Sequence, residues 1–187
     1  MSNILHHKIL IIDFGSQYTQ LIARRVRELG VYCELLPYDV NIHFIENFNP
    51  SGIILSGGPD SVNDEKSPKA PSILFDLKVP ILGICYGMQT LAVQLGGEAT
   101  SAEKAEFGFA KIRARNHSNL LTGINDETNS DGHEFLDVWM SHGIEVTKLP
   151  PGFKLIASSD NCPIAGFANN DKHYYGLPFH PEVTHTK

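Results

Sequence analysis

The sequence predicts an α/β protein with a mostly parallel central sheet and an antiparallel extension. Short β-branched runs alternate with helical repeats up to about residue 96, and after Gly96-Gly97 the texture changes to strand-like runs separated by turns. No repeat, low-complexity tract or linker interrupts the 187 residues, of which 42% are hydrophobic. Alternating strands and helices favour parallel pairing through crossovers, whereas consecutive strands joined by turns favour antiparallel pairing. A chain of this length and composition suits one core, so a single domain over residues 1–187 is expected.

Ile9 to Ile12 is an apolar run closed by Asp13 and Gly15, a buried strand leading into a turn. A helix follows, with Ser16 as N-cap, Leu21, Ile22, Val26 and Leu29 at helical spacing, and Gly30 as the left-handed stop. Val31 to Leu36 is a second strand, Asn41 to Phe48 a brief helix, and Ile53 to Leu55 a buried strand ending in Ser56-Gly57-Gly58-Pro59. Asp60 to Pro71, with two prolines and several charges, is expected to be a flexible surface loop. Ser72 to Leu77 is a short helix, Val79 to Ile84 a strand, and Met88 to Leu95 a helix. The extension takes strands at Phe107 to Arg113, Asp137 to Met140, Lys154 to Ala157, Ile164 to Ala168 and Tyr174 to Phe179.

A net charge of −6, with no Lys/Arg run longer than Arg24-Arg25, argues against nucleic acid and anionic membranes as partners. The polar start, Met1 to His7, is followed by only a strand-length apolar run, so neither a signal peptide nor a membrane span is expected. Three cysteines, at 33, 85 and 162, leave at least one thiol unpaired and fit a reducing, cytoplasmic setting.

The chemistry centres on Cys85. Gly83-Ile84-Cys85-Tyr86-Gly87 is a glycine-x-nucleophile-x-glycine pattern between a strand and a helix, a strained turn that exposes the central side chain. The following helix N-terminus would favour the thiolate. A lone cysteine at a turn is otherwise a small buried hydrophobe. A base and an orienting carboxylate are available near the other end of the chain, in His180-Pro181-Glu182 after a predicted strand. Taken alone, His180, Glu182 and His185 would equally fit a surface metal site or a solvated turn, although they match no known metal spacing. Backbone donors for a developing oxyanion could come from Ser56-Gly57-Gly58-Pro59 and from the Tyr86 amide. Ser56 to Ser61 also has the letters of a nucleotide phosphate loop, but Asp60, Asp64, Glu65 and Pro68 forbid the helix start such a loop needs. Asp13-Phe14-Gly15 lacks the companion motifs of a kinase and is a strand end and turn.

Ser56 to Pro59, Gly83 to Gln89 and Phe179 to Glu182, in this order, resemble the class I glutamine amidotransferase family across essentially the whole chain. Asp13 to Gln20, Trp139 to Gly143 and His180 to Thr186 are most similar to those members that feed ammonia to an ATP-dependent synthetase domain converting xanthosine monophosphate to GMP. The resemblance implies three layers with helices on both faces of the sheet. It implies that Cys85 attacks the carboxamide of L-glutamine, that His180 transfers protons, that Glu182 orients His180, and that a glutamyl thioester is hydrolysed to glutamate with release of ammonia. Gly58 and Tyr86 would supply oxyanion amides, and Gln89, Ser141, His142 and Gly143 would line the glutamine pocket. No metal or cofactor is expected in this domain; ATP and magnesium belong to the synthetase partner, in the same or a separate chain. Ile144 stands where an acidic residue is usual, and Leu177-Pro178 replace a more usual Val-Gln. These departures bear on coupling between domains and leave the triad intact. A γ-glutamyl peptidase on the same triad, or a regulatory module with a silent triad, are the alternatives.

Overall fold

The computed structural model describes residues 7–115 and 118–187, so the polar start at 1–6 lies outside the described residues. Among the described residues, ten strands form one sheet. The parallel half consists of β1 (Lys8–Asp13), β2 (Tyr32–Pro37), β3 (Gly52–Leu55) and β4 (Ile81–Ile84). The antiparallel half consists of β5 (Glu98–Ala114), β6 (Glu127–Thr128), β7 (Glu134–Lys148), β8 (Lys154–Ser158) and β9 (Gly166–Asn169). They are joined by β10 (Tyr174–Leu177), and the spatial order is β2-β1-β3-β4-β10-β9-β8-β5-β7-β6. β10 is parallel to β4 and antiparallel to β9, so the sheet changes character at this strand.

Alternation along β1 builds the layers. Leu10 and Ile12 pack on one face with Ile45 of α2 (Ile42–Phe48), Leu74 of α3 (Ile73–Asp76) and Leu91 of α4 (Tyr86–Gln94). Ile9 and Ile11 pack on the other face with Ile22 and Ala23 of α1 (Thr19–Glu28). Side chains of successive strand residues point to opposite faces, and a sheet covered on both sides must be apolar in both registers. The predicted three layers are therefore present. A third cluster, with Ile112, Leu136, Val138, Met140, Ile156, Leu177 and Phe179, fills the antiparallel half.

Several predicted elements shift. Ser16 is not the N-cap of α1: the helix starts at Thr19 behind Tyr18, and Ser16 Oγ instead accepts from the Tyr18 amide at 3.1 Å. Asp13 Oδ1 accepts from the Gly15 amide and the Thr19 hydroxyl, each at 2.8 Å, and this turns the chain from β1 into α1. The loop at 60–71, expected to be loose, is tied to α4. The Gln94 amide bonds both backbone groups of Ala70 at 2.9 Å, and the Tyr86 hydroxyl donates to Pro68 O at 2.5 Å. β5 and β7 run far beyond the predicted seven- and four-residue cores because a bulge, between Ser101 and Glu106, lets β5 keep pairing with β7.

Candidate active site

The site lies beyond the carboxyl ends of β1, β3, β4 and β10, where open α/β sheets bind ligands. Cys85 is the residue between β4 and α4, with φ 53° and ψ −109°. That left-handed backbone is costly for a residue with a Cβ, and its neighbours explain why it is held. A Cβ on Gly83 would fall 2.5 Å from Gly87 O, and one on Gly87 would fall 2.2 Å from Leu55 O, so only glycine fits on either side. The Cys85 amide bonds Leu177 O at 2.8 Å and the Gly87 amide bonds Ser56 O at 2.9 Å, clamping the turn to β10 and to the end of β3.

His180 follows β10, the strand beside β4, and this adjacency brings the distant histidine to the thiol. The two side chains border one cavity and interact electrostatically, while the Cys85 thiol donates to Ser141 O at 3.4 Å. His180 Nδ1 meets Glu182 Oε1 at 2.7 Å, both side chains at least 96% buried, so Nε2 is left for the sulfur. The ring packs edge-on to Tyr18 at 5.2 Å, and its backbone is fixed by Trp139 O on the amide and by the Thr186 hydroxyl on the carbonyl. Burial lowers the affinity of His180 for a proton, but the hydrogen bonds to Cys85 and Glu182 and their charges outweigh it, lifting the pKa to about 9. Arg25 of α1 donates to Glu182 O at 3.0 Å, which anchors this segment to the helix layer.

Cys85, although only 6% exposed, borders two cavities. One of about 170 Å³ is walled by Ser16, Tyr18, Gly58 and His180. The other, of about 390 Å³, is walled by Gly58, Gln89, Ser141, His142, Gly143 and Ile144. Every residue expected to bind glutamine thus lines one cavity with the nucleophile. Gly58 borders both, and a Cβ there would fall 2.8 Å from Phe14 O. The Tyr86 amide opens α4 beside the thiol, whereas its side chain is structural: the ring packs against Phe14 at 5.2 Å and burial pushes the phenol up to about 12. Ile144 enters through its carbonyl, which accepts from Gln89 Nε2 at 3.2 Å, and Leu177 through the carbonyl that holds Cys85, so their side-chain departures leave these contacts intact.

Sequence reasoning missed Ser16, Tyr18, Asp60, Ser61 and Phe107 as cleft residues. The first two lie within the Asp13 to Gln20 motif, which was the available signal. His185 packs against Trp139 with ring centroids 4.5 Å apart, and among the described residues no three His, Cys, Asp or Glu side chains gather as a metal would require. All three cysteines are free and buried. No helix among the described residues is long and apolar enough to cross a membrane.

The family model for glutamine amidotransferase class I matches residues 10–187. The chain belongs to this family. Among curated class I amidotransferase relatives, GMP synthase [glutamine-hydrolyzing] of Ruthia magnifica subsp. Calyptogena magnifica is 73% identical over the whole chain, and that of Methylococcus capsulatus is 62% identical. The chain spans 35% and 36% of the length of these two relatives. The structure of a candidate GMP synthase component from Thermoplasma acidophilum superposes with a TM-score of 0.80 at 31% identity, covering 97% of this chain and 87% of that one. A glutamine amidotransferase of Thermotoga maritima shares the fold, with a TM-score of 0.71 at 23% identity, over 95% of this chain and 77% of its own.

Proposed function

We propose that this class I amidotransferase domain hydrolyses L-glutamine to glutamate and ammonia, and that the ammonia serves the amination of xanthosine monophosphate to GMP by an ATP-dependent synthetase domain. The observation that carries the reading is the Cys85–His180–Glu182 arrangement at the junction of two cavities, with all four expected glutamine-binding residues in the larger one. The names of the curated relatives, and the greater length of those chains, support the nucleotide product and the partner domain.

His180 takes the proton of Cys85 as Sγ forms a bond to the carboxamide carbon of glutamine. The carbonyl oxygen becomes an oxyanion facing the Gly58 and Tyr86 amides. Such preorganised donors are worth roughly a hundred- to thousand-fold each. When the tetrahedral centre collapses, the carbon–nitrogen bond breaks and imidazolium His180 gives its proton to the departing nitrogen, forming ammonia. Water then attacks the thioester as His180 removes its proton, and the sulfur leaves as glutamate forms. Glu182 holds Nδ1–H, keeps Nε2 facing the sulfur and stabilises the imidazolium. None of these steps calls for a metal or cofactor of the domain's own. A reducing cytoplasm would keep the Cys85 thiol available.

Cys85→Ala is expected to abolish ammonia release from glutamine while the circular dichroism spectrum is unchanged. Turnover at the wild-type rate in that variant would overturn the reading, and faster cleavage of γ-glutamyl peptides than of glutamine would redirect it to a peptidase.

A further inference from the structure

Beside the triad, the structure holds a second buried pair of an imidazole and a carboxylate. β7 buries alternate residues Leu136, Val138 and Met140, and the next position in that register is His142, 4% exposed. Its partner strand presents Ile112, Ala110 and Gly108 to the same interior, and the next residue in that series is Glu106, directly opposite His142. Two polar side chains thus end an apolar face. The β5 bulge creates the pairing: residues 102–105 lie opposite Gly143 alone, between the Ser101–Ile144 and Glu106–His142 pairs. Without it, a different residue would face His142.

The pair is incompletely satisfied. Glu106 Oε1 accepts from Asn161 Nδ2 at 3.0 Å, but Oε2 is buried with no hydrogen-bond partner among the described residues. Both ring nitrogens of His142 are likewise without one, and the Ile144 backbone lies near the ring outside hydrogen-bond geometry. His142 Nε2 and Glu106 Oε2 are 3.8 Å apart, with side chains 1% and 13% exposed. An unmade bond between buried groups costs stability, and a movement of about 1 Å would form it. Catalytic-site hydrogen bonds are commonly long before substrate binds and tighten when it does.

We propose that Glu106 is a positioning residue for the glutamine pocket: its Oε2 accepts a hydrogen bond from His142 Nε2–H when substrate fills the cleft, fixing the ring and the Ser141–Ile144 backbone. The inference rests on the glutaminase reading of that cleft. Glu106 is absent from the cavity wall, whereas His142 and its three neighbours form it, so the carboxylate acts through the imidazole. Through Asn161, the same carboxylate links the pocket to the turn between β8 and β9. Burial keeps His142 largely uncharged against the pull of Glu106, so it has one N–H to place, and the carboxylate decides which nitrogen carries it.

The test compares Glu106→Gln, His142→Asn and the double variant in the glutaminase assay. Glu106→Gln keeps the side-chain shape and the acceptor for Asn161, but substitutes an NH₂ for the oxygen facing His142. It is expected to raise KM for glutamine about tenfold with kcat within about twofold, the pattern of lost binding common to ground and transition states. Alkylation of Cys85 by iodoacetamide should be unchanged. The double variant should be no worse than His142→Asn alone. An unchanged KM in Glu106→Gln, or fully additive effects in the double variant, would overturn the proposal. Nitrogen-15 shifts of the His142 ring in Cys85→Ala saturated with glutamine provide a readout free of turnover and of any change at Glu106. An Nε2–H tautomer is expected, and an Nδ1–H tautomer would refute the assignment. A wild-type chain that releases no ammonia would remove the glutaminase reading itself, while the KM and tautomer outcomes bear on Glu106.

Discussion

Cys85 is held on a left-handed backbone because glycines on either side have no room for a Cβ, and it sits on a cavity wall shared with His180. The electrostatics of the pair then set the pH range. With its pKa raised to about 9 by Cys85 and Glu182, His180 retains the proton it takes from the thiol, so the imidazolium that must protonate departing ammonia persists through neutrality. The descending limb of kcat/KM is therefore expected near pH 9. Glu182→Gln removes one of the charges that raise this pKa, so the limb should move to lower pH, and loss of the ring's anchor should cut kcat by up to about 10⁴-fold. An initial-rate profile from pH 6 to 10 on both proteins checks this; a limb at the same pH in both would contradict it. At this scale the sequence was most informative, because Cys85, His180, Glu182, Gly58 and Gln89 belong to short local patterns whose residue types are dictated by the chemistry. Glu106 and Tyr18 were less legible: the first depends on a bulge that resets strand register, and the second on a turn organised by Asp13.

At the scale of elements, the β4–turn–α4 unit is set by backbone contact. Gly83→Ala and Gly87→Ala each drive a Cβ into main-chain atoms that cannot rotate away, and each is expected to cost more than about 3 kcal/mol, at the severe end of single substitutions. Gly132 has φ +78° but nothing within 4 Å of its would-be Cβ. Gly132→Ala should therefore cost only the left-handed penalty, about 1–2 kcal/mol. Urea denaturation of the three variants measures the contrast, and equal losses would refute it. The parallel half was legible because β1, β3 and β4 are continuous apolar runs. The antiparallel half was harder: β7 carries Ser141 and His142 within a strand, and polar positions facing a cleft mask the alternation that marks a strand elsewhere. The loop at 60–71 looked free because its composition is that of a surface segment, while its anchors, Tyr86 and Gln94, lie on α4.

For the whole molecule, sheet topology joins distant parts of the sequence. β10 lies beside β4, with Leu177 paired to Ile84, so the residues that follow these strands meet at one edge of the cleft. The buried charges there also couple folding to pH. The His180 pKa rises from 6.5 to about 9 on folding, so its protonation stabilises the folded chain fully below pH 6.5, and that contribution disappears as pH passes through 9. Unfolding free energy should fall across this window, and the fall should shrink in Cys85→Ala, which lacks one of the groups that raise the pKa. Denaturant titrations at pH 6 and pH 9 test this, and a larger fall in the variant would contradict it.

The central claim is that Cys85 forms a covalent glutamyl thioester with His180 and Glu182 as its proton-transfer pair. The most direct measurement is rapid acid quenching of the wild-type protein mixed with glutamine, followed by intact-mass and peptide mass spectrometry. One glutamyl adduct mapped to Cys85, absent from Cys33 and Cys162 and lost in Cys85→Ala, is the predicted result. Ammonia release that continues in Cys85→Ala, with no adduct at position 85 in the wild type, would contradict the account.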